Sequence, residues 1–350
     1  MMNTQPSIVV TLISEEPRDY DGVVSQVREQ DVFSTFTIST GNAIRILDSP
    51  SADKTVSAFD HTEASTKGRI CAIFLSFQAQ DSPSITLDTC KQLRNSPCLQ
   101  NLQSTLGLEI IIQPYDLYLR HQTPGLAVFD MDSTLIQQEV IDELARTVGR
   151  YDEVAKVTEA AMRGELDFEE SLRQRVSKLE GVETTIWETL RRDVITITPG
   201  ARELIKVLGS RGWMTAVLSG GFTPLAEWLK GELGLNYAFA NYLETSADGS
   251  QLTGRLVAGS RIVDAKTKSD LLIKIAEECN VPLTHTIAVG DGSNDLLMMH
   301  EAGLGIAFNA KPKVQEAAPA RLNSRSLVDI AYVLGFSHQE IEVKSSQGGK

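Results

Sequence analysis

Leu126-Ala-Val-Phe-Asp130-Met-Asp-Ser-Thr-Leu135 is the stretch on which the fold turns. Four apolar residues without polar alternation suit a strand buried on both faces, as in a parallel sheet. Two carboxylates follow it directly. Open α/β sheets bind ligands at the carboxyl ends of their strands, so Asp130 and Asp132 read as a site. An aspartate can attack phosphorus and form an acyl-phosphate. A second acid two residues on is placed to protonate a leaving oxygen and then to deprotonate water.

Outward from this stretch the pattern repeats. Residues 214–218, 286–289 and 305–308 are further short apolar runs, and helical patterns at 201–210, 224–233, 268–279 and 295–302 separate them. That alternation predicts an α/β fold, a doubly wound, Rossmann-like parallel sheet. Ser219-Gly220-Gly221 ends the second run, where small residues let backbone N–H groups approach a phosphate closely. Lys268 opens a helix and can neutralise a phosphoryl oxygen. Gly290-Asp291-Gly-Ser-Asn294-Asp295 ends a third run with acids beside glycines. Between 139 and about 194 the pattern is helical throughout, which predicts four short helices inserted as a cap. Residues 242–263, with Asp248-Gly249 at the turn, predict a β-hairpin. Thr198-Pro199 reads as a helix start.

Residues 1–121 have another texture. Strand-like runs at 7–13, 33–47, 69–77 and 108–113 and helical patterns at 20–30 and 84–106 give the order βαββαβ, with a long polar loop at 48–67. His121-Gln-Thr-Pro-Gly125 reads as a linker. The expected division is therefore a small α+β unit over 1–121 and a second domain over 122–337. The second domain has its core at 122–138 and 199–337, its cap at 139–198, and a polar tail at 338–350 that is expected to be disordered. The first unit resembles ACT-type ligand-binding domains. That likeness implies a homodimer whose pairing interface binds an amino acid.

A formal charge of −13 argues against a nucleic-acid partner, and no apolar run approaches the length of a membrane span. The start lacks the pattern of a signal peptide, so a cytoplasmic location is expected. Cys71, Cys90, Cys98 and Cys279 show no metal-ligand spacing and read as buried small hydrophobes.

DMDSTL, SGG, Lys268 and GDGSND together resemble the four signatures of the haloacid-dehalogenase superfamily. Residues 126–335 resemble its branch that hydrolyses O-phosphoserine in serine biosynthesis. The resemblance implies Asp130 as nucleophile and Asp132 as acid/base. It further implies Mg²⁺ held by Asp130, the Asp132 carbonyl and Asp291, and phosphoryl contacts from Ser219, Gly220, Gly221, Lys268 and Asn294. Asp295 would orient Lys268 or support the metal. In the cap, Glu139 would take the substrate ammonium and Arg175 its carboxylate, while Met162 and Phe168 seal the pocket. Lys266 and Arg173 are expected at the surface, and His285 and His300 outside the chemistry. A dehalogenase has no alkoxide to protonate and needs no Asp132. A phosphomutase of the superfamily would handle sugars, which the Glu139/Arg175 pair does not suit. A non-catalytic amino-acid sensor would not need the charged cluster.

Overall fold

The structure is a computed structural model that describes residues 6–38, 44–48, 67–77 and 85–346. Its first unit is an antiparallel sheet of β1 (Ile8–Asp19), β2 (Phe36–Ile38), β3 (Ile44–Ile46), β4 (Lys67–Phe77) and β5 (Leu108–Pro114). The order is β2-β4-β1-β5, with β3 also on β4. Ile8, Val10 and Leu12 pack against Val23, Val24 and Val27 of the helix Asp21–Arg28. Val9 and Ile13 point the other way, into a core shared with Ile330, Val333 and Phe336 from the end of the chain. Both faces of β1 are covered, which explains why its sequence is apolar without alternation. The helical pattern at 84–106 is two helices, Leu87–Arg94 and Pro97–Leu106, because Pro97 starts a new one. Of the loop predicted over 48–67, residues 49–66 lie outside the described residues, and Lys67 already belongs to β4.

Residues 121–125, read as a linker, form no helix or strand, and they run close against both units. Residues 115–120 form the helix Tyr115–Arg120, and His121 is completely buried. A side chain at Gly125 would collide with the His285 carbonyl. The two units share one core across this junction.

Their seam is polar as well as apolar. Arg94, 2% exposed, donates to the carbonyls of Pro319 (3.2 Å), Ala318 (3.2 Å) and Gln315 (3.3 Å), and Lys91 donates to Ala317 O at 2.5 Å. These carbonyls end the helix Pro312–Ala317, which has no later turn to satisfy them. Burial, and Arg321 nearby, pull the Arg94 pKa down to about 10, so it stays charged at neutral pH. Arg94→Ala is therefore expected to lower stability by about 3 kcal/mol, since orphaned buried carbonyls cost roughly 1–3 kcal/mol each. Urea unfolding of the whole chain measures this, and a loss under about 0.5 kcal/mol, the range of ordinary surface changes, contradicts it.

The second unit is a six-stranded parallel sheet in the order β13-β12-β11-β6-β7-β8, alongside a short hairpin. Its strands are β6 (Leu126–Phe129), β7 (Met214–Phe222), β8 (Tyr237–Asn241), β11 (Thr286–Gly290), β12 (Leu304–Phe308) and β13 (Ala320–Leu322). The hairpin is β9 (Leu243–Thr245) and β10 (Leu252–Leu256). Leu126 and Val128 of β6 face one helical layer and Ala127 and Phe129 the other, so the sheet is doubly wound. The cap helices are Val140–Thr147, Tyr151–Met162, Phe168–Ser177 and Ile186–Thr189.

Two local expectations need correction. The helix predicted over 201–210 spans Ala201–Ser210, but its cap is Gly200 at φ +78° and not Thr198-Pro199. A side chain at Gly200 would overlap Ser326 Oγ, so tertiary packing sets the start. The tail, expected to be polar and disordered, forms a helix over His338–Ser346. Ile341 is buried there, Glu340 pairs with Arg211, and His338 N donates to Leu47 O at 2.7 Å. Among the described residues, no helix is long and apolar enough to cross a membrane.

Candidate active site

Parallel neighbours β11, β6 and β7 end side by side, so the residues following them share one edge of the sheet. Asp130 N donates to Val289 O at 2.8 Å, which ties the first loop to β11. The Asp130 carboxylate is 5% exposed. Its Oδ1 accepts from Met131 N and from Lys268 Nζ, both at 2.7 Å. Neither bond uses Oδ2, which keeps its lone pairs free for chemistry.

Lys268 is wholly buried near the start of the helix Ala265–Glu278, which Asp264 caps by accepting from Thr267 N at 2.7 Å. Its ammonium also donates to Asp295 Oδ1 at 2.7 Å. Burial alone would lower the lysine pKa, but the Asp130 and Asp295 carboxylates overcome this and raise it. Asp295 in turn accepts from Gly292 N at 3.0 Å. Gly290 has to be glycine, because any side chain there would overlap the Asp295 carboxyl. Asp295 thus gives Oδ1 to Lys268 and Oδ2 to Gly292 N, whereas Asp130 bonds through Oδ1 alone.

Carboxylate oxygens of Asp130, Asp291 and Asp295 lie within 4.8 Å of one another. Burial, then repulsion from Asp295 and Glu139, pushes the Asp291 pKa up to about 7. Asp130 is raised well above the carboxylate range by burial and by Asp295, against the pull of Lys268. Asp132 is raised by burial, by Glu139 and by Asp130, and its buried Oδ1 has no protein donor. With both Asp295 oxygens bonded, Asp130 and Asp291 remain as hard oxygen donors, and the lysine alone does not balance them. This donor set could hold a metal ion of the oxygen-seeking class.

Ser219, Gly220 and Gly221 lie at the end of β7, and Ser219 is completely buried. Gly221 N donates to Ser219 Oγ at 2.8 Å, which leaves the hydroxyl proton unspent. A Cβ at Gly221 would lie 3.0 Å from Ser219 Oγ and 3.4 Å from Asp132 Oδ2, inside the space these groups share. Asn294 folds over Gly292, beside Asp291.

The cap reaches this edge at three points. Val140 N donates to Asp132 Oδ2 at 3.2 Å. Glu139 accepts from Ser133 Oγ at 2.8 Å, and Ser133 sits in the left-handed region at φ +54°. Phe168 leans on the phosphate loop, its ring 3.2 Å from where a Gly220 Cβ would be. Arg175 is half-buried and bonds Ser171 O at 3.3 Å through Nε. Burial lowers its pKa, while Asp142, Glu139 and Asp132 favour its charged form. The structure thus brings the predicted core residues, Glu139 and Phe168 to this edge, leaves Arg175 on its helix within electrostatic reach of Glu139 and Asp132, and the Met162 side chain lies outside the described residues.

The decoys separate as expected. Lys266 is exposed and pairs with Asp270, and Arg173 is exposed and pairs with Glu169 at 2.6 Å. His300 is exposed, and His285 packs its backbone against Gly125. No motif in the sequence singles out Asn241, 2% exposed at the end of β8, which donates to Gly220 O.

The sequence pattern of the haloacid dehalogenase-like hydrolases matches residues 125–303. A probable phosphoserine phosphatase of Schizosaccharomyces pombe is 52% identical over 215 residues, 61% of this chain and 71% of that protein. The unliganded crystal structure of a probable phosphoserine phosphatase from Vibrio cholerae is 37% identical. It superposes with a TM-score of 0.62 over 81% of this chain and 79% of that one. A phosphoserine phosphatase structure holding a phospho-aspartyl intermediate analogue is 44% identical, with a TM-score of 0.55 over 60% of this chain and 99% of that one. With its aspartate loop, glycine loop, lysine and acid cluster at one sheet edge beneath a helical cap, the chain belongs to the haloacid dehalogenase-like hydrolases.

Proposed function

We propose that the chain is a phosphoserine phosphatase, hydrolysing O-phospho-L-serine to serine and phosphate with Mg²⁺ as cofactor. The observation that carries this most directly is Asp130, whose Oδ1 is fixed by Lys268 and Met131 N while Asp132 stands beside it with a raised pKa. In the first step an Asp130 carboxylate oxygen bonds to phosphorus as the P–O bond to serine breaks. Asp132 gives its proton to the departing alkoxide. In the second step Asp132 takes a proton from water, the water oxygen bonds to phosphorus, and the bond to Asp130 breaks.

Lys268, the Ser219 hydroxyl, the Gly220 N–H and Asn294 hold the phosphoryl oxygens through both steps, while Gly221 contributes through its bond to Ser219 Oγ. Mg²⁺, held by Asp130, Asp291 and the Asp132 carbonyl, would neutralise phosphoryl charge. Glu139 meets the substrate ammonium and Arg175 its carboxylate, with Phe168 and Met162 closing the pocket.

Arginine's planar fork suits a carboxylate, and such charged bonds are worth about 1.5–3 kcal/mol. Arg175→Ala is therefore expected to raise the KM for phosphoserine about 10- to 100-fold and to leave that for p-nitrophenyl phosphate nearly unchanged. Arg175→Lys recovers only part of the loss. Phosphate release with and without Mg²⁺ measures all three, and equal effects on both substrates would reassign Arg175 to cap folding. The first unit is read as ACT-like, assembling a cytoplasmic homodimer with serine as effector. Sedimentation of the whole chain with and without serine checks the assembly and its response.

A further inference from the structure

Asn241 belongs to none of the motifs above, yet it joins them. Its Nδ2 donates to Gly220 O at 2.8 Å, and its Oδ1 accepts from Val263 N at 2.9 Å. Both bonds are to backbone, and the side chain is 2% exposed. Gly220 belongs to the phosphate loop. Val263 immediately precedes Asp264, the cap of the helix that carries Lys268. One amide therefore ties together two segments, each delivering a phosphoryl-binding group.

The first bond has a chemical consequence. Gly220 C=O and Gly221 N–H belong to one peptide group, and that group is held at both ends. Asn241 grips the carbonyl, and Ser219 Oγ accepts the N–H at 2.8 Å. A hydroxyl has one proton to give, and by accepting from Gly221 it turns that proton away from the loop. If the peptide were free to rotate, its carbonyl could swing toward the phosphoryl site and present negative charge there. A donor on the carbonyl also polarises the peptide and strengthens the N–H bond at its other end.

We propose that Asn241 is a positioning residue of the phosphoryl site, locking the Gly220–Gly221 peptide so that the Ser219 proton faces the transferred group. It touches no reacting atom and acts through Ser219. The inference rests on the reading of Ser219 as a phosphoryl donor, and the experiment tests the two separately.

The experiment is a double-mutant cycle on the whole chain with phosphoserine as substrate, measuring kcat and KM for Asn241→Ala, Ser219→Ala and the pair. Asn241→Ala is expected to lower kcat about ten-fold, the scale of one well-placed hydrogen bond, with KM changed less than about three-fold. In the Ser219→Ala background the same change should cost less than about three-fold, because the group it positions is already gone. Asn241→Asp is the nearly isosteric companion. It keeps an acceptor for Val263 N but loses the donor to Gly220 O, so it should show the same kcat loss.

Thermal melting of each variant shows whether it is folded. Should Asn241→Ala not fold, the cycle is run with Asn241→Asp. Equal fold-losses with and without Ser219, or full kcat in Asn241→Asp, overturn the inference and leave the phosphatase reading intact. Undiminished turnover by Ser219→Ala alone overturns the role of Ser219 and this inference with it.

Discussion

Replacing Asp130 by asparagine is expected to abolish phosphate release, by about 10⁴-fold or more, as loss of a covalent nucleophile does. The substitution keeps the shape of the side chain, and its remaining oxygen can still accept from Met131 N, which sits 2.7 Å from Oδ1. What it removes is the negative charge that attacks phosphorus. It also removes one of the two carboxylates flanking Lys268, and Asp295 remains at 2.7 Å to hold the ammonium. The fold should therefore survive, with a melting temperature close to that of the parent chain. Beryllium fluoride mimics a phosphoryl group on an aspartate, and its capture with Mg²⁺ should be seen in the parent and lost in Asp130→Asn. Near-normal hydrolysis by the variant would remove the covalent mechanism, whatever the other motifs do.

That the sequence points to Asp130 at all follows from the strand before it. A run buried on both faces is legible because it has no polar alternation, and the residue after it falls at the sheet edge. Lys268 and Asp130, 138 residues apart, meet at 2.7 Å for this reason. Both wait at the ends of elements that a parallel sheet brings together.

The features that could not be read depend on partners remote in sequence. Arg94 looks like any charged residue on a helical pattern, and only the fold shows that its acceptors are backbone carbonyls over 220 positions away. Asn241 likewise serves two backbone groups, and backbone groups leave no trace in residue type. The last helix is polar in sequence, and among its described residues it docks through Ile341, the Glu340–Arg211 pair and the bond from His338 N to Leu47 O. Thr198-Pro199 satisfies the local capping rule, yet Gly200 caps the helix, at a position where contact with Ser326 leaves no room for a side chain. Local rules govern where packing is indifferent, and they yield where it is tight.

Asp132→Asn should separate the two proton transfers. Asp132 is held by Val140 N at 3.2 Å through Oδ2, a bond that an asparagine oxygen can keep, so the side chain should stay in place. Its raised pKa, from burial and the nearby Glu139 and Asp130 carboxylates, favours a carboxyl that still carries a proton when substrate arrives. With phosphoserine, whose leaving alkoxide needs that proton, the variant is expected to lose about 10²- to 10⁴-fold in kcat. With p-nitrophenyl phosphate the leaving phenolate needs no acid, so transfer to Asp130 should stay fast. The second step still lacks its base. Rapid mixing should therefore give a burst of phenolate close to one per enzyme, followed by slow turnover as the aspartyl-phosphate persists. A variant that loses activity equally on both substrates, and shows no burst, would mean that Asp132 acts before either proton moves. Its backbone carbonyl or its place beside Asp130 would then account for the loss.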